Sequence, residues 1–295
     1  MGRRHGPALR VLVIGSTGAI GSHLCSTLRQ NGTEVIGASR HIDAYDKNSL
    51  ALDLANMADA LATVRKLPKM DAVVISAGIT GLRECENDPE LSRVVNVGSQ
   101  VELAKWFVVT GCQNVVFLSS NRVFDGKVAN VKCNAEYSPT TEYGRQKSQA
   151  ELQILSLGEA ARVIRLTKVL SEESKLLVDW VKKIKAKQPI SAFTDVSLSP
   201  ITKDHACAVI ESVLSNPTPP IVQASTTDEI SYFEMACSVA IQLDAAQSIV
   251  RKQTAGEVGE KPLPHSSLES SNLTAIKSPS SLSTVRKIVE KMVES

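Results

Sequence analysis

The stretch VLVIGSTGAIGSHL, residues 11–24, joins a short apolar run to three glycines spaced three residues apart. A β-rich apolar run followed by a helical pattern predicts a strand, a turn and a helix. In such a turn Gly15 permits the tight bend, Gly18 lets the backbone approach a pyrophosphate, and Gly21 lets the helix pack closely on the strand. The first amides of the helix can bind phosphate. The stretch therefore predicts a dinucleotide site, with a simple glycine-rich turn as the alternative.

Short apolar runs and helical patterns alternate after this turn. The apolar runs cover residues 11–15, 34–39, 72–78, 115–120 and 161–166. The helical patterns cover residues 19–31, 57–67, 89–110 and 142–158. Short, continuously apolar strands are typical of a parallel sheet that is buried on both faces. The alternation predicts an α/β protein with a Rossmann-type, doubly wound parallel sheet.

The pattern becomes less regular after residue 168. Helices are predicted at residues 174–188, 203–215, 230–243 and 281–294, and a strand at residues 219–224. Residues 255–281 are rich in Ser, Pro and Gly and are predicted to be irregular. We therefore expect a cofactor-binding domain over residues 1–168. Residues 169–295 should form a smaller, loop-rich substrate-binding region, with some elements returning to the sheet.

Bulk composition excludes several classes of protein. The chain has 295 residues and a net charge of +2, which gives no electrostatic case for nucleic acid. No apolar run approaches the ~20 residues of a membrane helix, and the short basic start does not resemble a signal peptide. The six cysteines show no metal spacing, so we expect reduced thiols, no metal site and a cytoplasmic location. The oligomeric state is left open, with a homodimer as one alternative.

The end of the second predicted strand indicates which cofactor is bound. An NAD site usually carries an acidic residue there, which binds the ribose 2′-hydroxyl. This chain has Ser39 and Arg40 instead, and an arginine suits a 2′-phosphate. We therefore predict NADP(H) in preference to NAD(H); the alternative is a solvated Arg40 and an enzyme that uses either cofactor. Asp53 could bind an adenine amino group or cap the following helix.

Polar and small residues follow two further strands. Ala77 and Gly78 end the third main apolar run, and Ser120 ends the fourth. Ligands of open α/β sheets bind beyond the carboxyl ends of the strands. Tyr143 and Lys147 share one face of the next predicted helix. The predicted cofactor-binding residues are Gly15, Thr17, Gly18, Ile20, Gly21, Ser39, Arg40, Asp53, Ala77, Gly78, Tyr143 and Lys147.

Ser120, Tyr143 and Lys147 form a candidate catalytic set. A phenol has an ordinary pKa near 10. A neighbouring ammonium favours the phenolate, so we expect Lys147 to lower the pKa of Tyr143 toward the working range. Tyr143 could then give a proton to a carbonyl oxygen as a nicotinamide delivers hydride. Ser120 would hydrogen-bond the same oxygen, and Lys147 would also bind the nicotinamide ribose.

These motifs together resemble those of the extended short-chain dehydrogenase/reductases, and most closely those of the dTDP-4-dehydrorhamnose reductase type. The glycine turn, SSNRVFDG (residues 119–126) and YGRQK (residues 143–147) carry the resemblance, with KPLPHSSLESSNL (residues 261–273) further on. The resemblance implies that Ser120 is the catalytic hydroxyl, Tyr143 the acid and Lys147 its partner. It also implies that the substrate-binding residues are Asn121, Arg122, Val123 and Phe124.

Departures from the family pattern fall on the substrate side. Asn121 and Arg122 replace the Asp-Tyr pair that usually follows the catalytic hydroxyl, so the sugar is expected to differ. The lysines of WVKKIKAKQ, residues 180–188, are either a solvated face or a neighbour for a nucleotide diphosphate. Glu151, four residues after Lys147, is expected to pair with it across one helical turn.

Three functions agree with these residues. The leading one is NAD(P)H-dependent reduction of a keto group on a nucleotide-linked sugar, with another carbonyl compound as the next substrate class. An NAD-dependent sugar-nucleotide epimerase or dehydratase uses the same fold, but an acidic residue after the second strand is absent. The third is a regulatory subunit that keeps the cofactor pocket, as in the beta subunit of methionine adenosyltransferase. The intact Ser120, Tyr143 and Lys147 set favours a catalyst.

Overall fold

The computed structural model describes residues 9–41, 46–261, 263–273 and 276–294. The chain forms two compact units that interleave along the sequence. Unit 1 comprises Met1–Phe124, Tyr137–Arg165 and Cys207–Val222. Unit 2 comprises Asp125–Glu136, Leu166–Ala206 and Gln223–Ser295. The assignment of cofactor binding to residues 1–168 and substrate binding to residues 169–295 stays a prediction.

Thirteen strands lie in the described part of the chain. They are β1 Arg10–Ile14, β2 Glu34–Ser39, β3 Ser49–Ala51, β4 Ala72–Ile75, β5 Asn114–Ser120, β6 Ala161–Leu166, β7 Val169–Leu170, β8 Ile190–Phe193, β9 Ser197–Leu198, β10 Ile201–Thr202, β11 Ile221–Ala224, β12 Ile230–Ser231 and β13 Val250–Gln253.

Ten α-helices accompany them among the described residues. They are α1 Ala19–Gln30, α2 Met57–Val64, α3 Leu82–Asn87, α4 Pro89–Arg93, α5 Gln100–Val109, α6 Glu142–Leu155, α7 Lys175–Lys185, α8 Lys203–Ser215, α9 Tyr232–Gln242 and α10 Ser281–Glu294. A π-helical turn, Val94–Ser99, joins α4 to α5. Three 3₁₀ turns cover Asn121–Val123, Gln247–Ile249 and Gly256–Val258.

The main sheet has seven strands in the order β11-β6-β5-β4-β1-β2-β3. Strand β1 is parallel to β2 and to β4, with Ile14 beside Ala38 and Ile75. The order reverses between β1 and β4, so the carboxyl ends of β1 and β4 border the switch point at which α/β sheets bind ligands. The doubly wound parallel sheet of the Rossmann type is thereby confirmed.

The core of unit 1 explains why these strands read as uninterrupted apolar runs. All four residues of β4 are buried, and so are Val11 to Ile14 in β1. Both faces of the sheet are covered, and each side chain removed from water contributes about 1.5–3 kcal/mol. Gly32 and Gly111 have φ values of 83° and 89° after α1 and α5, the left-handed conformation that favours glycine directly after a helix.

The helices agree with the sequence patterns except in the region of residues 82–99. The pattern over residues 89–110 predicted one helix, but α4, the π turn and α5 follow one another there. The pattern did not predict α3 either. A π turn inserts one residue into the hydrogen-bond ladder, which changes the direction of the following side chains. The consequence is seen at Asn96, which is fully buried.

Unit 2 has its own core, built from short strand pairs and three helices. Strand β13 is parallel to β8, and β12 is antiparallel to β9. Trp180 on α7, Met235 on α9 and Val285 on α10 are buried in this core. The lysines of α7 lie outside it: Lys182 and Lys185 are exposed, and Lys183 pairs with Asp179 at 2.8 Å. A role of these lysines toward a nucleotide stays a prediction. Across the described ranges, no helix is both long and apolar enough to cross a bilayer.

Candidate functional site

The glycine turn is a close-packed cradle at the end of β1. Gly15 has φ +97°, and a Cβ there would lie 2.5 Å from the Ala77 nitrogen. A Cβ at Gly21 would lie 2.1 Å from the Gly15 oxygen, so α1 touches the turn. Gly18 is the N-cap of α1, and no side chain caps the helix. Uncapped first-turn amides with no Cβ in front of them fit a pyrophosphate.

The residues predicted around this cradle differ in exposure. Thr17 and Gly18 are exposed, and Ile20 is half-buried. Ser39 is buried and donates its hydroxyl to the His41 carbonyl, whereas Arg40 is exposed at the end of β2. An exposed guanidinium at this position is available to a 2′-phosphate. The cofactor contacts themselves stay predictions.

Asp53 does not cap α2. The N-cap of α2 is Asn56, whose side chain accepts the Asp59 amide, and Asp53 accepts the Ala55 amide at 3.0 Å. Asp53 therefore closes a turn before the cap, which corrects one of its two predicted roles. The reason is local: an aspartate three residues before the cap can reach the amide two residues ahead.

Ala77 and Gly78 are held by two buried amides that the sequence analysis missed. Asn96 accepts the Ile79 amide at 2.8 Å and donates to the Ile79 carbonyl at 2.9 Å. Gln100 donates to the Ala77 carbonyl at 2.9 Å. A Cβ at Gly78 would lie 2.9 Å from the Asn96 oxygen. The segment after β4 is therefore fixed by the π turn and α5. The sequence analysis missed Asn96 and Gln100 because hydrophobic periodicity does not reveal a π turn.

The same network reaches α6. Asn96 donates to the Gln146 oxygen at 2.8 Å, and Gln146 donates to Ser92 at 2.8 Å and to Glu142 at 3.0 Å. Gln146 is 1% exposed and lies directly before Lys147. Buried amides with paired donors and acceptors specify one arrangement of the elements that carry them. The network thus sets α6 against the segment after β4.

Ser120, Tyr143 and Lys147 come together in unit 1. Ser120 ends β5, and its hydroxyl accepts the Arg122 amide at 3.2 Å. Ser120 is also one of the groups that lower the pKa of Tyr143, which places the two side chains close together. Tyr143 is 8% exposed and Lys147 4% exposed, one turn apart on α6. Lys147 donates to the Leu118 carbonyl at 2.8 Å, and its ammonium lies 4.1 Å from the centre of the Phe117 ring. The convergence predicted from the sequence is present, while its catalytic role stays a prediction.

The predicted effect of Lys147 on Tyr143 is wrong. Burial raises the pKa of Tyr143 above its ordinary value, and Arg122 and Ser120 oppose this only in part. Lys147 is not among the groups that shift this pKa. Its ammonium donates to the Leu118 carbonyl at 2.8 Å. Burial also lowers the pKa of Lys147 to about 7, against the attraction of Glu151. The phenol is therefore protonated at neutral pH, which is the form a proton donor needs.

Replacing Lys147 with Met is expected to raise the free energy of unfolding near neutral pH by about 1–3 kcal/mol. Folding lowers the pKa of this ammonium from 10.5 to about 7, so the unfolded chain binds more protons. The parent therefore gains stability as pH rises through this interval, and the Met variant lacks that gain. Urea unfolding of both proteins at pH ~7 and pH ~10 measures it.

Lys185→Met makes the same change at an exposed position of α7 and should move stability little at either pH. A parent–variant difference at Lys147 that is the same at both pH values would contradict a strongly lowered pKa.

The four predicted substrate residues divide into two pairs. Asn121 and Arg122 are half-buried in the 3₁₀ turn after Ser120. Val123 is fully buried and Phe124 is 6% exposed. The turn lies close to α6, because a Cβ at Gly144 would be 2.2 Å from the Arg122 oxygen. In this structure Asn121 and Arg122 are accessible to a ligand, whereas the side chains of Val123 and Phe124 are packed inside.

Glu151 does not pair with Lys147, which corrects the expectation from helical spacing. Its carboxylate accepts the Arg165 guanidinium at 2.7 Å and the Tyr137 hydroxyl at 2.9 Å. Both charged side chains are at most 1% exposed. Arg165, 14 residues away, pairs with Glu151 instead, because its planar guanidinium presents two N–H donors, Nε and Nη2, to the carboxylate at 2.9 Å and 2.7 Å.

The chain is similar in sequence to several known proteins. The chain is 28% identical over 257 residues to the spore coat polysaccharide biosynthesis protein SpsK of Bacillus subtilis, covering 85% of each protein. It is 24% identical over 270 residues to methionine adenosyltransferase 2 subunit beta of Xenopus tropicalis, covering 88% of this chain and 79% of that one.

Solved structures share the fold. The dTDP-4-dehydrorhamnose reductase of Bacillus anthracis in complex with NADP superposes with a TM-score of 0.84 at 17% identity, covering 96% of this chain and 99% of that one. The family model described as RmlD substrate binding domain matches residues 9–294, nearly the whole chain. Together with the seven-stranded sheet and the glycine turn, this match shows that the chain belongs to the RmlD substrate binding domain family.

Proposed function

We propose that this chain is an NADPH-dependent reductase of a keto group on a nucleotide-linked sugar. The observation that carries the proposal is the buried Tyr143 phenol, which lies one helical turn from Lys147 and close enough to Ser120 for that hydroxyl to lower its pKa. Family membership and the likeness to a reductase fold support the same class of oxidoreductase. A cytoplasmic location and a homodimer are proposed with it.

The proton would come from Tyr143. Its pKa is raised by burial, so the phenol is intact at neutral pH and can donate to a carbonyl oxygen. The Ser120 hydroxyl would hydrogen-bond the same oxygen and hold it near the phenol. Lys147, with a pKa lowered to about 7, can replace a proton that Tyr143 has given up. A buried, partly dry site strengthens each of these interactions.

The glycine cradle fits a dinucleotide. Gly15, Gly18 and Gly21 would hold the pyrophosphate, and Arg40 would hold the 2′-phosphate. Ala77 and Gly78 would contact the nicotinamide half of the cofactor. A bound nicotinamide would supply hydride to the carbonyl carbon. Because no carboxylate follows Ser39, the end of β2 would not repel a 2′-phosphate.

Arg40→Ala is expected to weaken NADPH binding by about 10–100-fold and to change NADH binding by less than ~3-fold, because only NADPH loses a charge-assisted contact. Titration of nucleotide fluorescence measures both affinities. Arg251→Ala, the same change at an exposed position of β13, is the control. Equal loss for both nucleotides would show that Arg40 does not recognise the 2′-phosphate.

The proposed substrate is a 4-keto-6-deoxy sugar nucleotide that differs from the one typical of the family. Asn121 and Arg122 stand where an Asp-Tyr pair is usual and are the accessible pair of the turn. An arginine in place of tyrosine adds a positive charge beside the phenol, which suits a substrate with an additional acceptor or anionic group.

Absorbance of the reduced nicotinamide tests the proposal. The purified protein is mixed with NADPH and a 4-keto-6-deoxy sugar nucleotide, with NADH in parallel. Loss of NADPH faster than of NADH is the expected result. Turnover of the sugar with NAD retained and no net consumption would instead indicate an epimerase or dehydratase. Binding of NADPH without turnover of any keto sugar would exclude the reductase.

A regulatory subunit is the second candidate, because methionine adenosyltransferase 2 subunit beta matches 88% of this chain. Such a role needs the cofactor cradle and not the proton donor. Addition of the protein to a methionine adenosyltransferase catalytic subunit, with and without NADPH, tests it. A change in that enzyme's rate that survives Tyr143→Phe would favour the second candidate.

A further inference from the structure

Arg165 is a fully buried cation whose role the proposed mechanism leaves open. Its side chain is 1% exposed on β6, and that of Glu151 is 0% exposed on α6. The Arg165 Nε and Nη2 atoms lie 2.9 Å and 2.7 Å from the same Glu151 oxygen. Replacing a buried ion pair by apolar residues is often neutral or stabilising, so stability alone does not require this pair.

Two aromatic rings complete the cluster. The Arg165 guanidinium lies 5.1 Å from the centre of the Phe124 ring and 5.2 Å from that of Tyr137. The Tyr137 hydroxyl donates to Glu151 at 2.9 Å, and burial raises the pKa of Tyr137 to about 12, so it remains a donor. The Glu151 carboxylate thus accepts from Arg165 and Tyr137, whereas the Lys147 ammonium donates to the Leu118 carbonyl.

The cluster also holds the turn that follows Ser120. Phe124 is the last residue of unit 1 before the segment Asp125–Glu136, which belongs to unit 2, and Tyr137 is the first residue of unit 1 after it. The two residues that flank this segment therefore contact the same guanidinium. The Ser138 amide donates to the Val123 carbonyl at 3.0 Å, which ties the two ends together a second time. Arg165 thereby contacts Phe124, the residue that directly follows the Asn121–Val123 turn after Ser120.

Lys147 is the group most sensitive to this arrangement. It faces Glu151 and Tyr143 on its own helix and Cys85 on α3, and it is bound by the Leu118 carbonyl of β5. Glu151 is one turn away and is the nearest charge of opposite sign on α6. Because Arg165 neutralises Glu151, the ammonium stays on the carbonyl instead of turning toward the carboxylate.

We propose that Arg165 is a positioning residue of the site: by engaging Glu151 and the rings of Phe124 and Tyr137, it keeps the Lys147 ammonium on the Leu118 carbonyl and the Ser120 turn against α6. The inference rests on the proposed reductase function for its kinetic part only. Its structural part concerns the ionisation of Lys147, which is measurable without turnover.

Three variants test the effect of Arg165 and Glu151 on the ionisation of Lys147. Arg165→Met removes the charge at similar volume, Glu151→Gln removes the carboxylate at the same shape, and the double variant removes both. Lysine side chains labelled with ¹³C at Cε are titrated by NMR, and the Lys147 signal is assigned by its loss in Lys147→Met. Cofactor affinity and kcat against pH are measured on the same proteins.

Arg165→Met should raise the pKa of Lys147 by about one unit or more, and Glu151→Gln should lower it, because a unit charge a few ångströms away shifts a buried pKa by this amount. The double variant should return it to within ~0.5 unit of the parent. kcat should fall about 10–100-fold in Arg165→Met and recover in part in the double variant, with cofactor affinity within ~3-fold throughout.

Opposite shifts that cancel are a signature that a merely structural role would not produce. Unchanged Lys147 titration in both single variants, or equal shifts in all three, would overturn the inference. If Arg165→Met does not fold, the double variant decides it: a pKa of Lys147 equal to that in Glu151→Gln alone would overturn the inference, and a pKa returned toward the parent value would support it. If the parent protein shows no turnover but the pKa of Lys147 shifts in opposite directions in the two single variants, the proposed function is wrong and the positioning of Lys147 by Arg165 still holds.

Discussion

Tyr143→Phe is expected to lower kcat for carbonyl reduction by about 10²–10⁴-fold, the usual contribution of a positioned proton donor. Only the hydroxyl is removed, and the ring stays in its buried place beside Ser120. Cofactor affinity should remain within ~3-fold of the parent, because a group that acts in the transition state contributes little to ground-state binding. Stopped-flow absorbance of NADPH and a separate fluorescence titration measure the two quantities.

Tyr232→Phe is the matched control for this prediction. It makes the same chemical change at the start of α9, where the ring contacts Phe193 edge to face at 6.4 Å between centroids. Its kcat should equal that of the parent. Full activity of Tyr143→Phe would show that another group, or water, supplies the proton, and the role of Tyr143 would be wrong.

Gly21→Ala is expected to weaken NADPH binding by at least ~100-fold, because the new methyl group cannot be placed without moving α1. An added Cβ would lie 2.1 Å from the Gly15 oxygen and 2.8 Å from the Gly15 carbon, and both are backbone atoms. Alanine favours a helix over glycine by only about 1 kcal/mol, which is too little to offset such a clash. The first-turn amides would then point away from the pyrophosphate position.

Gly256→Ala provides the control, because nothing lies within 4 Å of the Cβ that it would add. Fluorescence titration with NADPH, together with thermal unfolding of each apoprotein, separates loss of binding from loss of fold. Parent-like affinity in Gly21→Ala would mean that the close approach of α1 to the turn is not what binds the dinucleotide.

The proposed mechanism also depends on the protonation state of Lys147 and on the pairing of Glu151 on α6. Because burial lowers the pKa of Lys147 to about 7, the ammonium and amine are both present near neutral pH. A lysine in this range can pass a proton to Tyr143 after turnover, which a lysine with its ordinary pKa would do poorly. The buried Glu151–Arg165 pair contributes a compensated charge rather than a free carboxylate beside it.

The sequence by itself determined the fold, and it predicted which residues form the candidate site. Alternating apolar runs predict buried parallel strands because burial on both faces leaves no polar positions in them. The glycines of residues 15–21 and the spacing of Tyr143 and Lys147 are local patterns, and a local pattern is visible in the chain. The strand and helix predictions that were correct all depend on neighbours fewer than five residues away.

Only the tertiary structure decided how the site is held and charged. Glu151 pairs with Arg165, 14 residues away, and not with Lys147 on its own helix. Asn96 hydrogen-bonds Ile79 and Gln146, which are 17 and 50 residues away in sequence. It lies in a π turn that hydrophobic periodicity does not predict. The pKa of Tyr143 rises because burial outweighs a neighbouring cation. Burial and competition among distant partners are properties of the packed chain, so spacing along the sequence cannot reveal them.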